Sequence, residues 1–190
     1  LSKASSNNVL IDSSGPVLVE VTALGLIIDP TPDYTFTSDE AGTITYGGAC
    51  SSSTTSATAG SNTVTLNTLV DGTTYSDCTI TVTDAIGNAS TLAITSFRLD
   101  IPPELAEVTA VPTPNIQTTP FYTFSTTYAG AITYGGSCSS DNDTASAGNN
   151  TITLNSLGNG TYSDCTITVT KSTGRGATLN MSSFVIDSTL

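Results

Sequence analysis

The residues able to do chemistry in this chain are few: scattered acids and amides and four cysteines, with no histidine and no tryptophan. Asp12, Asp39, Glu40, Asp84 and Asn88 carry hard oxygen donors of the kind that suits Ca²⁺. Asp39 and Glu40 are also a paired acid of the sort a glycosidase uses, but they stand side by side in one loop with no aromatic sugar platform beside them. Without histidine no Ser-His-Asp or Cys-His arrangement can form. Cys50, Cys78, Cys138 and Cys165 lack the C-x-x-C spacing of a zinc site. No enzyme is expected.

The acids and cysteines are positioned by a repeat. Residues 31–50 read TPDYTFTSDEAGTITYGGAC and residues 119–138 read TPFYTFSTTYAGAITYGGSC. The echo continues through 62–69 and 150–157, then through 73–83 and 160–170, and closes with SFRLD at 96–100 against SFVID at 183–187. A period of about 90 residues is too long for a solenoid coil and fits one self-sufficient β domain. The expected organisation is 1–12 as the end of a preceding repeat or a donor-strand segment, 13–100 and 101–187 as two like domains, and 188–190 as the start of a further linker. Asp12, Asp100 and Asp187 hold equivalent places at the unit boundaries.

Helix signals are absent and strand signals are dense. Strands are expected near 17–24, 33–38, 42–48, 62–68, 77–83 and 90–98, with a short piece near 52–58. Thr43-Ile44-Thr45-Tyr46 and Thr79-Ile80-Thr81-Val82 alternate apolar with threonine, the pattern of a half-exposed antiparallel sheet. Cys78 shares its face with Ile80 and Val82, and Cys50 shares parity with Ile44 and Tyr46. Both cysteines therefore face a core, as an inter-sheet Cys50–Cys78 disulfide requires, and Cys138–Cys165 repeats the arrangement. Closing a loop of about 28 residues stabilises by roughly 3–4 kcal/mol. Disulfides place the chain in an oxidising compartment, outside the cell. A leucine, a turning glycine and Tyr75 or Tyr162 precede each second cysteine, which resembles a tyrosine corner. The fold class is all-β: two tandem immunoglobulin-like β-sandwich domains, each with one disulfide.

Ile80-Thr81-Val82-Thr83-Asp84-Ala85-Ile86-Gly87-Asn88, the Ile11-Asp12-x-x-x-Pro16 entry and the repeat itself resemble the bacterial immunoglobulin-like tandem repeats of large cell-surface adhesins and extracellular fibres. That resemblance implies an extended chain, calcium at domain junctions and no catalysis. In a sandwich of this type the loop between the last two strands and the loop between strands two and three lie at the end where the chain enters. This brings Asp12, Asp39, Glu40, Asp84 and Asn88 to one tip, where crowded carboxylates favour a bound Ca²⁺. The second copy departs, with Thr126-Thr127-Tyr128 for Ser38-Asp39-Glu40 and Lys171 and Arg175 for Asp84 and Asn88. Those two cations are expected to meet Asp100 and orient the joint, across a link stiffened by Pro102-Pro103.

Composition narrows the partners. A net charge of −12 with only four basic residues cannot neutralise a run of phosphates or hold an anionic membrane. No apolar run approaches the roughly 20 residues of a membrane helix. Leu1-Ser2-Lys3 leads into a polar stretch, so the start reads as that of a mature or trimmed chain. Sequons stand at Asn88, Asn142, Asn149, Asn159 and Asn180. Val9, Leu10 and Ile11 form an apolar strand expected to pair with a preceding repeat or a neighbouring chain by strand addition. The expected role is a structural module of an extracellular fibre or adhesin stalk, with neighbouring repeats or identical chains as partners. A filament subunit joined by strand donation is the second reading. A carbohydrate- or protein-binding module ranks last, for want of aromatics clustered in one loop.

Overall fold

The computed structural model describes residues 13–189, and among them every regular element is a strand. The chain divides into two compact units, one ending at Asp100 and the other beginning at Ile101. The first unit contains β1 (Leu18–Glu20), β2 (Leu26–Ile27), β3 (Asp33–Ser38), β4 (Gly42–Gly47), β5 (Ser56–Ala57), β6 (Gly60–Thr65), β7 (Thr74–Tyr75), β8 (Thr79–Thr83), β9 (Ala89–Ala93) and β10 (Phe97–Leu99). The second contains β11 (Leu105–Thr109), β12 (Phe121–Thr126), β13 (Gly130–Gly135), β14 (Thr144–Ala145), β15 (Gly148–Thr153), β16 (Gly160–Tyr162), β17 (Thr166–Thr170), β18 (Gly176–Asn180) and β19 (Phe184–Ile186).

Each unit is built from thin sheets around one core. In the first the sheets run β1-β3-β6, β5-β4-β8-β9 and β2-β10-β7; in the second they run β11-β12-β15, β14-β13-β17-β18 and β16-β19. All pairs are antiparallel except β2 with β10, which is parallel, and Asn115 makes the matching parallel bridge to Ile186. Alternation dictates what goes inside. Tyr34, Phe36, Val64, Ile80 and Val82 point inward, as do Tyr122, Phe124, Ile152, Ile167 and Val169 in the second unit. Threonines take the outer faces and pair hydroxyl to hydroxyl across strands, Thr81 with Thr91 at 2.8 Å and Thr168 with Thr178 at 2.7 Å.

One expected strand is cut short and another is broken in two. The strand expected at 17–24 ends at Glu20, and the chain turns at Gly25, whose φ of 64° is open to glycine but costly for other residues. A further short strand, β2, then runs beside β10. The closing strand 90–98 is two pieces, β9 in the four-stranded sheet and β10 in the small one. Ile94 and Phe97 are both buried although three positions apart, so the period of two fails between them and the chain crosses sheets there.

The cysteines pair as Cys50–Cys78 and Cys138–Cys165, with Cα atoms 5.2 Å apart in each. Their placement differs from an inter-sheet bridge. Cys78 immediately precedes β8 and Cys50 follows β4, and β4 and β8 are neighbours in one sheet. Gly48, at φ 70°, turns the chain out of β4, and Ser52 already bridges Leu66 beyond β6. The bond therefore ties a strand end to the crossover between the two large sheets. The hydroxyl of Tyr75 accepts the Val70 N–H at 2.7 Å, and that of Tyr162 donates to the Gly158 carbonyl at 3.0 Å. Each ring stacks on the closing strand, Tyr75 on Phe97 and Tyr162 on Phe184.

Replacing Cys138 and Cys165 together with alanine is expected to lower the unfolding free energy by about 3–4 kcal/mol, measured by urea denaturation, because the bond closes a long loop of the unfolded chain. A loss below about 1 kcal/mol would show that the crossover holds without it.

Candidate functional site

The acids expected to gather at one tip have separate local partners. Asp39 Oδ1 accepts the Val17 N–H at 2.6 Å. Asp84 Oδ1 accepts the N–H groups of Ile86, Gly87 and Asn88 at 2.9, 2.7 and 2.9 Å, while Asn88 Nδ2 donates to its Oδ2 at 2.9 Å. Glu40 lies in the turn where the Ser38 hydroxyl donates to its carbonyl. Asp12 falls outside the described residues. Among the described residues no three acidic, histidine or cysteine side chains form a group able to hold a metal ion. Asp84 and Asn88 are thus brought together as a hairpin lock. Desolvation raises the Asp84 carboxyl, but the amides of Asn88, Ile86 and Gly87 outweigh it and hold its pKa below the usual range.

Lys171 is buried within the second unit, its Nζ 4.1 Å from the centre of the Tyr128 ring and 2.8 Å from the Ile101 carbonyl oxygen. Its N–H reaches the Arg175 carbonyl at 2.7 Å, closing the same turn that Asp84 and Asn88 close in the first unit. Arg175 Nε is buried without a hydrogen-bond partner among the described residues. Asp100 is buried in the first unit, where its N–H donates to the Ile27 carbonyl. Val9, Leu10 and Ile11, the expected donor strand, lie outside the described residues.

A pair of carboxylates that sequence reasoning passed over each accepts three hydrogen bonds from residues distant in the chain. Glu20 accepts from the Tyr34 hydroxyl at 2.9 Å, from the Thr95 N–H at 3.0 Å and from the Thr95 hydroxyl at 2.5 Å. Glu107 repeats this with Tyr122 at 3.0 Å and Ser182 at 2.9 and 2.7 Å. Desolvation raises both glutamates, but the hydrogen bonds exceed it and their pKa values fall below the ordinary range. Burial, the hydrogen bond and the glutamate charge together push both tyrosine hydroxyls far up. These groups stay in fixed protonation states near neutrality and tie β1 or β11 to the crossover before the closing strand. They are structural.

The surface that stands apart is at Phe121. Because Tyr122, Phe124 and Thr126 point inward, Phe121 must point out, and it is 61 % exposed. It opens on a hollow of about 310 Å³ lined also by Thr109, Ala110, Pro112, Asn115 and Gln117. Asn115 is fixed by its backbone, which donates to Val185 and accepts from Asp187, and its Oδ1 takes the Gln117 N–H at 2.9 Å. Its Nδ2 and the Gln117 side-chain amide make no hydrogen bond within the described residues. The first unit has Asp33 in the place of Phe121, accepting the Thr65 hydroxyl at 2.6 Å. The signal was available in TPFYTF: if Tyr122 and Phe124 are core, Phe121 is surface.

No family model and no curated protein matches this chain. Among solved structures it is similar to the surface glycan-binding protein SGBP-B of the Bacteroides ovatus mixed-linkage glucan utilization locus, in complex with a mixed-linkage heptasaccharide. Identity is 18 %, the match covers 94 % of this chain and 46 % of that one, and the TM-score is 0.28. The chain spans less than half the length of that protein. The expected role is corrected here. The comparison meets a glycan-binding surface protein where a fibre or stalk module, or a strand-donating filament subunit, was expected. At a TM-score of 0.28 the likeness itself bears no weight.

Because the folded glutamates titrate below their unfolded value, their stabilisation is complete above the ordinary pKa of about 4.3 and is lost as pH falls through the lower folded value. Thermal melts are expected to show a midpoint that drops below about pH 4, and the double variant Glu20→Gln, Glu107→Gln is expected to flatten that drop. An unchanged acid slope in the variant would assign the effect to other carboxylates.

Proposed function

We propose that the chain is a non-catalytic extracellular module of immunoglobulin-type β-sandwich units whose second unit binds a neutral carbohydrate on the Phe121 surface. The order of strand pairing, the parallel β2–β10 contact and the tyrosine hydroxyls returned to backbone support the immunoglobulin type. The disulfides support an oxidising, extracellular setting. Among the described residues no helix is long and apolar enough to cross a membrane.

The observation that carries the reading is the solvent-facing ring of Phe121 beside the amides of Asn115 and Gln117. A sugar ring presents C–H groups on its faces and hydroxyls around its rim. An exposed aromatic ring offers apolar contact to the face, while neighbouring amides give or take hydrogen bonds at the rim. A rigid strand holds the ring and a backbone-fixed loop holds Asn115, so little ordering entropy is lost on binding. The net charge of −12 repels polyanions, which favours a neutral glycan.

Affinity electrophoresis of the full chain in gels containing soluble β-glucan, galactomannan or xylan, with alginate as the polyanionic control, tests this. Retardation by a neutral glycan and not by alginate is expected, with Phe121→Ala weakening it at least about tenfold, or about 1.4 kcal/mol. Asp33→Ala in the first unit is expected to have no effect. Failure to bind any of the neutral glycans, or undiminished binding by the Phe121 variant, would overturn the reading.

A further inference from the structure

Phe121 has a second polar hollow on its other side. Its cross-strand partner is Thr153, and Thr153 lines a hollow of about 370 Å³ shared with Thr119, Asp141, Asn142 and Asn155. Side chains opposite one another on one sheet face lie roughly 5 Å apart, the scale of one sugar ring. We propose that the carbohydrate surface extends across Phe121 into this hollow and holds consecutive rings of one neutral chain, Asn115 and Gln117 serving one ring and Asp141, Asn142 and Asn155 the next. This rests on the reading of Phe121 as a carbohydrate platform.

The second hollow is organised by its own bonds and still has capacity to spare. Asn155 Nδ2 donates to Asp141 Oδ1 at 3.1 Å and to the Ser139 hydroxyl at 3.3 Å, which orients both side chains. Asn142 Oδ1 accepts the Thr153 N–H at 3.2 Å, while the Ser140 hydroxyl donates to the Thr153 carbonyl at 2.6 Å. That leaves Asp141 Oδ2 and Asn155 Oδ1 as acceptors and Asn142 Nδ2 as a donor, none of them bonded within the described residues. Adjacent sugar hydroxyls donate to such acceptors and accept from such a donor, and a carboxylate is the stronger acceptor for a hydroxyl pair. An anionic sugar would meet the Asp141 charge, so the same residues select a neutral one.

The first unit supplies the contrast. Ser53 and Thr54 stand where Asp141 and Asn142 stand, and Asp33 where Phe121 stands, while Asn67 and Asn155 are the same. The changes that add a carboxylate and an amide to the hollow therefore fall on the same unit as the exposed ring, beside its cross-strand partner Thr153. They belong to one surface.

Calorimetric titration of the full chain with methyl β-glucoside and cellobiose, whose rings carry equatorial hydroxyls and bare C–H faces, tests the extension. The native chain is expected to bind the disaccharide about tenfold more tightly than the monosaccharide. The double variant Asp141→Ser, Asn142→Thr installs residues already accommodated in the first unit. It is expected to keep its thermal midpoint and its monosaccharide affinity and to lose the gain from the second ring. A variant that keeps the gain, or that loses both ligands equally, overturns the second subsite while leaving the Phe121 platform in place. Unaltered binding by Phe121→Ala would instead remove the platform itself, and no binding of either sugar by the native chain would overturn both.

Discussion

The ring of Tyr34 is completely buried, and so is nearly all of Tyr122. A hydroxyl at the end of such a ring must find a partner, because leaving it unpaired costs about 1–3 kcal/mol. In each unit the partner is a glutamate carried on the first strand of the three-stranded sheet, and the same carboxylate also takes the backbone and hydroxyl of Thr95 or Ser182. One carboxylate thereby fixes the core ring, the edge strand and the place where the closing segment changes sheets. The sheet change then allows β10 and β19 to pack Phe97 and Phe184 against Tyr75 and Tyr162. Small sandwiches bury modest apolar area. The disulfide supplements this device nearby, since the Cys78 carbonyl accepts the Ile94 N–H and that of Cys165 accepts the Met181 N–H, each one residue before the residue the glutamate holds.

That scaffold is used twice with different surfaces. Inward positions hardly change between the units, since Tyr34, Phe36, Val64 and Leu66 become Tyr122, Phe124, Ile152 and Leu154. Outward positions diverge. Asp33 becomes Phe121 and Ser53 becomes Asp141. A core tolerates only volume-conserving change, whereas a threonine-covered outer face accepts an aromatic ring at little cost in stability. Duplication of this kind leaves one unit free to carry a binding surface while the other retains a polar one.

Much of the architecture was legible because alternation is local. Thr-Ile-Thr-Tyr fixes which face of β4 is buried without any knowledge of its neighbours. The parity of the cysteines showed that they face a core, but parity is blind to sheet membership, so the bridge was placed between sheets when it joins a strand end to a crossover. The break between Ile94 and Phe97 was hidden because it depends on contacts from Glu20 and from β2, far away in the sequence. The local partners of the acids were hidden for a related reason. A carboxylate in a hairpin is satisfied by its own loop's N–H groups, and Asp84 takes three. Phe121 was legible by the same alternation that located the core, but the hollow beside it depends on Thr109, Pro112 and Asn115 from another segment.

The most direct measurement is a ¹H–¹⁵N NMR titration of the full chain with cellotetraose, because the two units provide matched positions in one sample. The account predicts shifts confined to the second unit, at the amides of Phe121 and Thr153 and the side-chain amides of Asn115, Gln117, Asn142 and Asn155. The matching Asp33, Thr65 and Asn67 should stay still. Shifts shared equally by both units, or centred on the threonine faces away from Phe121, would contradict it.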